Sequence, residues 1–234
     1  MTYCYPVLDL KRYTVWEGCG FLDPLYLKYE KAQHPATDWN ARTGGDTDNG
    51  DPLYAIADGR VSYMAYHRYI GNILLLELDD GSEAAYWHNA RHEPGLKVGQ
   101  RVHMGERVAA IGKGGTSPQF PKGRFAAHLH FEWRKKAGQC RPDEWPGVSP
   151  TPEAAALYIQ TTRHDPAARL KELGALTTLS EVQAHYAQKK AKPGGVPTDR
   201  KVRVMLEGKP GAWQDVSGQR VTLPGLTLNA TDPG

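Results

Sequence analysis

Nine histidines occur in the chain, and two of them, His128 and His130, stand one residue apart in FAAHLHFEW at 125–133. On a β-strand, residues i and i+2 leave the same face. Both imidazoles would then point into one volume, their α-carbons roughly 6–7 Å apart. That spacing suits one histidine on a metal with the other beside it; two surface histidines on an exposed face are the competing reading. Upstream, HPATDWN at 34–40 sets His34 four residues before Asp38. Zinc accepts both imidazole and carboxylate, and its catalytic sites use three protein ligands and leave a fourth position to water. His34, Asp38 and one histidine of the H-x-H pair would complete such a set. His88 ends the apolar run in YWHNA and could arrive from a neighbouring strand, although a lone strand-end histidine is ordinarily satisfied by water or backbone.

Other hydrolytic arrangements are missing. No glutamate stands next to a candidate ligand histidine as in the helical H-E-x-x-H motif. A glycosidase would need two carboxylates facing each other across a cleft, and no such pair is recognisable.

The elements that must position these residues are mostly strands. LYAIADGRVSYMAYH carries Asp58-Gly59 between two β-rich runs, and GNILLLELDDGSEAAYWH repeats the device with an Asp-Gly at 80–81. Both read as hairpins. Short β segments surround Gly99, Gly105 and Gly112, and AHLHFEW closes the series. Strands at this spacing without long helical patterns predict an antiparallel sheet or sandwich. Two long polar loops, 39–52 and 113–125, interrupt it and have the composition of functional or mobile connections. After a Pro-rich linker the pattern turns helical. TPEAAALYIQTTR and DPAARLKELGAL each start with a capping residue and a proline, and LSEVQAHYAQKKAK follows with Ser180 as its expected cap. KPGGVPTD marks a second linker before a β-patterned tail. The expected organisation is a mainly β domain at 1–145, a helical accessory segment at 150–192 and a small β-rich tail at 199–234.

The 234 residues suit one full domain with an appendage or two small domains, and suffice to bury a core without disulfides. Three cysteines are too scattered for a zinc ribbon or a disulfide framework; Cys4, Cys19 and Cys140 read as buried or incidental thiols, with a Cys4–Cys19 bridge left open. No run is long and apolar enough to span a membrane, and the N-terminus lacks the pattern of a signal peptide. The net charge of +3 comes with no basic, aromatic-interleaved stripe of the kind that binds nucleic acid.

Taken in order, H-x-x-x-D, PLYAIADGRV, GN before a strand, YWHNA, VGQRVHMGERVAAIG and AHLHFE resemble the lysostaphin-type (LytM-domain) peptidoglycan metallopeptidases across about residues 30–135. The resemblance implies a twisted antiparallel sheet with a groove, known as the duplicated hybrid motif. It also implies a zinc endopeptidase that cuts peptide crosslinks of the bacterial cell wall, in the periplasm or outside the cell. Carried over by position, it makes His34, Asp38 and His130 the ligands of one zinc ion, His128 a catalytic residue and His88 its companion. The pair would orient and deprotonate the attacking water and serve the leaving amine, a task for which histidine's pKa near 6.5 is suited. Trp39, Tyr86, Trp87 and Phe120 could line the groove or pack in the core or on its rim; Trp39, Tyr86 and Asn72 are the expected substrate-binding residues. Peptidoglycan is the expected partner, with no nucleic acid. A phage-type lysin or a wall hydrolase is the leading expectation, and a non-catalytic wall-binding or hydrolase-regulating protein of the same fold is the alternative.

Two departures stand out. Ala36 replaces a usual glycine, and the stretch TGGDTDNGD is longer than usual. Its Asp46, Asp48 and Asp51 suggest a calcium loop, but Ala57 occupies the place of the twelfth-position glutamate, which favours an ordinary acidic turn bordering the groove. His67, His92, His103, His164 and His185 are expected to be solvated.

Overall fold

Runs rich in Val, Ile, Leu and Tyr between residues 53 and 134 become strands because their branched and aromatic side chains pack on a pleated surface. The computed structural model describes residues 1–148 and 150–191, with four two-residue strands beyond them. In chain order the elements are β1 (Tyr13–Val15), α1 (Pro24–Glu30), β2 (Thr37–Ala41), β3 (Pro52–Tyr54), β4 (Gly59–His67), β5 (Gly71–Leu78) and β6 (Glu83–Asn89). There follow β7 (Arg91–His92), β8 (Arg101–Val102), β9 (Arg107–Ala110), β10 (Leu129–Arg134), α2 (Pro152–Thr162), β11 (Arg163–His164), α3 (Pro166–Glu172) and α4 (Leu179–Ala191).

The large sheet runs β1-β2-β10-β6-β5-β4-β8, with β11 paired to β10, and a smaller sheet runs β3-β9-β7. Every ladder is antiparallel, so the fold is mainly β, as expected. One face of the large sheet carries Trp39, Leu74, Leu76, Ala84, Tyr86, Leu129, Phe131 and Trp133, which join Leu53, Val108 and Ile111 of the smaller sheet's side in the main core. The opposite face carries a second cluster of Ile70, Ile73, Leu75, Ala85 and Trp87. The functional candidates lie on that opposite face.

Several local expectations change. Asp58-Gly59 does not join a hairpin: β3 pairs with β9, whereas β4 pairs with β5, so the chain crosses there between sheets through buried Ala55, Ile56 and Ala57. The 80–81 turn does close the β5–β6 hairpin, with Gly81 at φ +83°. Residues 39–41 belong to fully buried β2 rather than to the following loop. Helix α1 was not anticipated, although Asp23 caps it through Leu25 N and Pro24 opens it. Thr151 and Asp165 cap α2 and α3. For α4 the cap is Thr178, not Ser180: its Oγ1 accepts from Glu181 N while Glu181 Oε2 accepts from Thr178 N, a reciprocal capping box.

The chain divides into two units, Met1–Gln183 and Ala184–Gly234. Helices α2 and α3 therefore belong with the sheet and not to an accessory piece starting at 150. Strand β11 pairs with β10, and Leu170 of α3 is fully buried in the main core. In the tail, β12 (Lys201–Val202) pairs with β15 (Gln214–Asp215), and β13 (Met205–Leu206) with β14 (Lys209–Pro210). The rest of the β unit expected at 199–234 lies outside the described residues. Among the described residues no helix is long and apolar enough to cross a membrane. The three cysteines are free, and Cys4 Sγ donates to Ala55 O rather than meeting Cys19.

Candidate metal centre

Strand register brings the predicted residues together. On β10, His130 lies opposite Asp38 of β2 on one side and Trp87 of β6 on the other. His34 enters from the turn before β2, fully buried. His34 Nε2 stands 3.3 Å from Asp38 Oδ1, His130 Nδ1 stands 3.0 Å from the same oxygen, and the two ring nitrogens are 3.4 Å apart. Ligands 2.0–2.1 Å from a tetrahedral zinc ion are separated by about 3.3 Å along each edge, which matches this triangle. Asp38 Oδ1 is buried and without an aligned hydrogen-bond donor, as expected of an atom meant for a cation. His34, Asp38 and His130 are also the one group of three or more metal-binding side chains found among the described residues.

The tautomers are set by the surroundings. A carbonyl oxygen can only accept, so the imidazole nitrogen facing it carries the proton. His34 Nδ1 donates to Gly20 O at 2.9 Å, leaving Nε2 for a metal. His88 Nδ1 donates to Ile70 O at 2.7 Å and His128 Nδ1 to Ala126 O at 2.8 Å, which leaves both Nε2 atoms as lone-pair acceptors. The His88 and His128 rings are 4.7 Å apart, and His128 Nε2 lies 3.7 Å from Asp38 Oδ2.

His88 reaches this place through a bulge. Two steps along β5, from Asn72 to Leu74, are matched by three along β6, from Asn89 to Tyr86. His88 sits in the surplus at φ +63°. A non-glycine residue there is strained, and the distortion turns its ring to the side that strict alternation would deny it. Asn72 braces the bulge by donating to the carbonyls of Asn89 and Ala90.

Charge follows from this packing. Burial opposes ionisation of Asp38, but His34 and His128 beside it hold the carboxyl well below its usual range. Burial, reinforced by His128 and His130, pushes His88 far below 6.5 and keeps it neutral. Burial also works against a charge on His130, yet Asp38 and Glu132 raise it to about 9.

Aromatic rings wall the centre. Trp87 stacks on His130 with centroids 4.9 Å apart, Tyr26 stacks on His34 at 4.3 Å, and Trp145 lies 5.9 Å from His130. Tyr86 and Trp39 do not. They oppose Phe131 and Leu129 across β10, project into the main core and are 0% and 5% exposed. Their expected substrate-binding role fails because β alternation sends them to the other face. Phe120 stays on the rim, its ring over the Arg124 guanidinium.

The acidic turn is structural. Asp46 accepts from Lys113 and from Ala127 N, Asp48 from Ala41 N, and Asp51 from Arg12 and Tyr13. By holding Ala127, Asp46 steadies the residue before His128. Ala36 is fully buried. His92 and His164 are not solvated as expected: His92 donates to Ile73 O, and His164 packs against Trp133.

Sequence reasoning passed over Tyr26, Trp145, Glu132, Arg134 and Arg163. Glu132 was readable, because it shares the face of His130 two residues on. Its Oε1 lies 3.6 Å from His130 Nε2, and its Oε2 accepts from Arg134 Nε and Arg163 Nε at 2.8 and 2.9 Å.

Residues 33–142 match the model of peptidase family M23. Peptidoglycan DD-endopeptidase ShyB of Vibrio cholerae is 33% identical over 107 residues, 44% of this chain and 22% of that protein. Murein hydrolase activator EnvC of Escherichia coli is 26% identical over 124 residues, 53% of this chain and 27% of that protein. The chain thus spans about a quarter of the length of these two curated relatives. The solution structure of lysostaphin aligns with 73% of this chain and 55% of its own at 24% identity and a TM-score of 0.48. Residues 33–142, with the His-Asp-His centre inside them, are thus similar to peptidase family M23.

Proposed function

We propose that the chain is a zinc-dependent endopeptidase that hydrolyses peptide bonds in bacterial peptidoglycan. The observation that carries this reading is the triangle of His34 Nε2, Asp38 Oδ1 and His130 Nδ1, with two further histidines presenting free Nε2 atoms beside it. Zinc held there supplies a Lewis acid that polarises the scissile carbonyl and brings the pKa of water toward about 7. The chain's own residues do the rest. His88, neutral by burial, accepts a hydrogen bond from the attacking water and orients it. His128 takes the proton on Nε2, is stabilised as imidazolium by Asp38 Oδ2, and passes the proton to the leaving amine. Tyr26, Trp87 and Trp145 exclude bulk water from the walls.

ShyB, named a peptidoglycan DD-endopeptidase, supports the substrate class. The site of action under this reading is the cell wall, in the periplasm or outside the cell, for a phage-type lysin or a bacterial wall hydrolase alike. The similarity to EnvC, named an activator of murein hydrolases, supports a second reading in which the fold binds or regulates without turnover. A complete ligand triangle and histidine pair favour the enzyme.

Digestion of purified sacculi followed by mass spectrometry tests the choice. New amino termini without new reducing sugars, abolished by a chelator and restored by zinc, are expected. Binding to sacculi that ignores the chelator and releases no peptide would establish the activator-like reading instead.

A further inference from the structure

We propose that Arg163, which lies beyond the family-matched residues, is a positioning residue for the metal ligand His130, acting through Glu132. The inference rests on the reading of the site as a zinc centre. His130 presents Nδ1 to Asp38 and His34, so its remaining proton sits on Nε2. That nitrogen faces Glu132 Oε1 at 3.6 Å, and both atoms are buried with no other hydrogen-bond partner. Two unpartnered buried groups of opposite character, a few tenths of an ångström beyond bonding distance, are what a metal draws together when it takes the other ring nitrogen. A ligand histidine backed by a carboxylate is held in one orientation and made more basic.

Glu132 cannot serve this role alone. It is completely buried, and an unpaired carboxylate there is costly. Its Oε2 is gripped by two guanidinium groups, from Arg134 on its own strand and from Arg163 on β11. Arg134 is anchored in turn by Glu83 and the Pro142 carbonyl. Arg163 is anchored by Thr162 Oγ1 and Glu144 Oε2, and Tyr158 of α2 donates to that same glutamate oxygen. The ladder between β10 and β11 sets Arg163 opposite Arg134. The two forks thus fix Glu132 from both sides and leave Oε1 for His130. Helix α2 and strand β11 are thereby part of the metal centre's support.

Zinc affinity of the full chain, read by competition with a chromophoric chelator, tests this. Glu132→Gln keeps the volume and removes the charge, and is expected to weaken zinc binding about 10–100-fold. Arg163→Gln is expected to weaken it about tenfold, and Arg163→Lys by less, because lysine restores the charge without the fork. In the zinc-loaded parent the His130 Nε2 proton should give a slowly exchanging imidazole signal by NMR, which Glu132→Gln removes. Leu170→Ala, in the main core, is expected to lower Tm while leaving zinc affinity within about twofold. If Arg163→Gln does not fold, Glu132→Gln and Arg163→Lys decide. Parent-like zinc affinity in the folded variants, with the imidazole signal intact, overturns the proposal. A parent that binds zinc tightly but cleaves nothing sinks the hydrolase reading and leaves this one standing, whereas a parent without zinc affinity sinks both.

Discussion

His88 and His128 meet edge to face, with ring centroids 4.7 Å apart and planes 62° apart, and each has Nδ1 committed to a main-chain carbonyl. They come from different parts of the chain and neither completes the ligand triangle, so they are expected to act as a unit in proton transfer. His88→Ala and His128→Ala should each lower peptide cleavage about 10²–10⁴-fold, and the double variant should lose little more than the worse single one. Bound zinc, measured by elemental analysis after dialysis, should be unchanged in both. Loss of metal from either would make that residue a ligand instead.

Asp38 shows the opposite dependence. One of its oxygens faces both His34 and His130 and the other faces His128, so Asp38→Asn is expected to weaken metal binding and to leave His128 without the carboxylate beside it. Cleavage should fall to background, and zinc should dialyse away under conditions where the parent keeps a full equivalent. Adding excess zinc should restore little activity. Full recovery would confine Asp38 to the metal and remove it from proton transfer.

Tyr86 and its neighbour Trp87 separate the two faces of the sheet. The Tyr86 hydroxyl donates to Tyr54 O and accepts from Ile56 N in the main core, so Tyr86→Phe should cost about 1–3 kcal/mol of stability with no change in cleavage by the folded protein. Trp87→Leu removes the ring stacked on His130 and should depress zinc affinity and cleavage together. Urea unfolding and cleavage assays on the same preparations give both readouts. Reduced cleavage by fully folded Tyr86→Phe would return that residue to the groove.

His34, Asp38 and the H-x-H pair were legible as candidate ligands by type and spacing, since H-x-H needs only strand geometry to converge, whereas the choice of His130 over His128 came from the resemblance. Which face of the sheet they occupy was not. Tyr86 and Trp87 look equivalent in a string of letters, and only the pairing of His130 with Trp87 distinguishes them. His88 was placed at the site by resemblance; alternation would have sent it the wrong way, because a left-handed residue in a bulge leaves no mark when that residue is not glycine. Glu132 was within reach by parity with His130. Arg163 was not, since an arginine just after a helix ordinarily reads as a solvated charge, and its burial depends on a two-residue ladder with β10.

Gly112 controls how closely His88 and His128 approach. Its carbonyl accepts from His128 N, and a β-carbon added to it would lie 2.3 Å from Ala90 N and 2.4 Å from His88 O. Those are backbone atoms and cannot swing aside. Gly112→Ala should destabilise the fold by about 1–3 kcal/mol and lower cleavage more than Leu170→Ala does at matched fraction folded. Equal losses in the two variants would show that the spacing between His88 and His128 tolerates a shift.

In the metal-free protein, stability should peak near pH 6.5, because the buried histidines pull in opposite directions. Burial lowers His88, His92 and His164 below their ordinary value, with neighbouring positive groups adding to it at His88 and His164. The unfolded chain therefore binds more protons as the pH falls below about 6.5, and stability is lost on that side. His130 opposes this, since Asp38 and Glu132 outweigh its burial and raise it to about 9. Its contribution is complete below about 6.5 and is lost as pH rises through 9, with a limiting slope of about 1.4 kcal/mol per pH unit. Zinc takes the place of that proton, so the loaded protein should lose the alkaline decline and keep the acid one, with metal release steepening it. Thermal unfolding of chelated and zinc-loaded protein from pH 5 to about 9.5 checks both limbs. Identical alkaline limbs with and without zinc would mean that His130 does not exchange a proton for the metal.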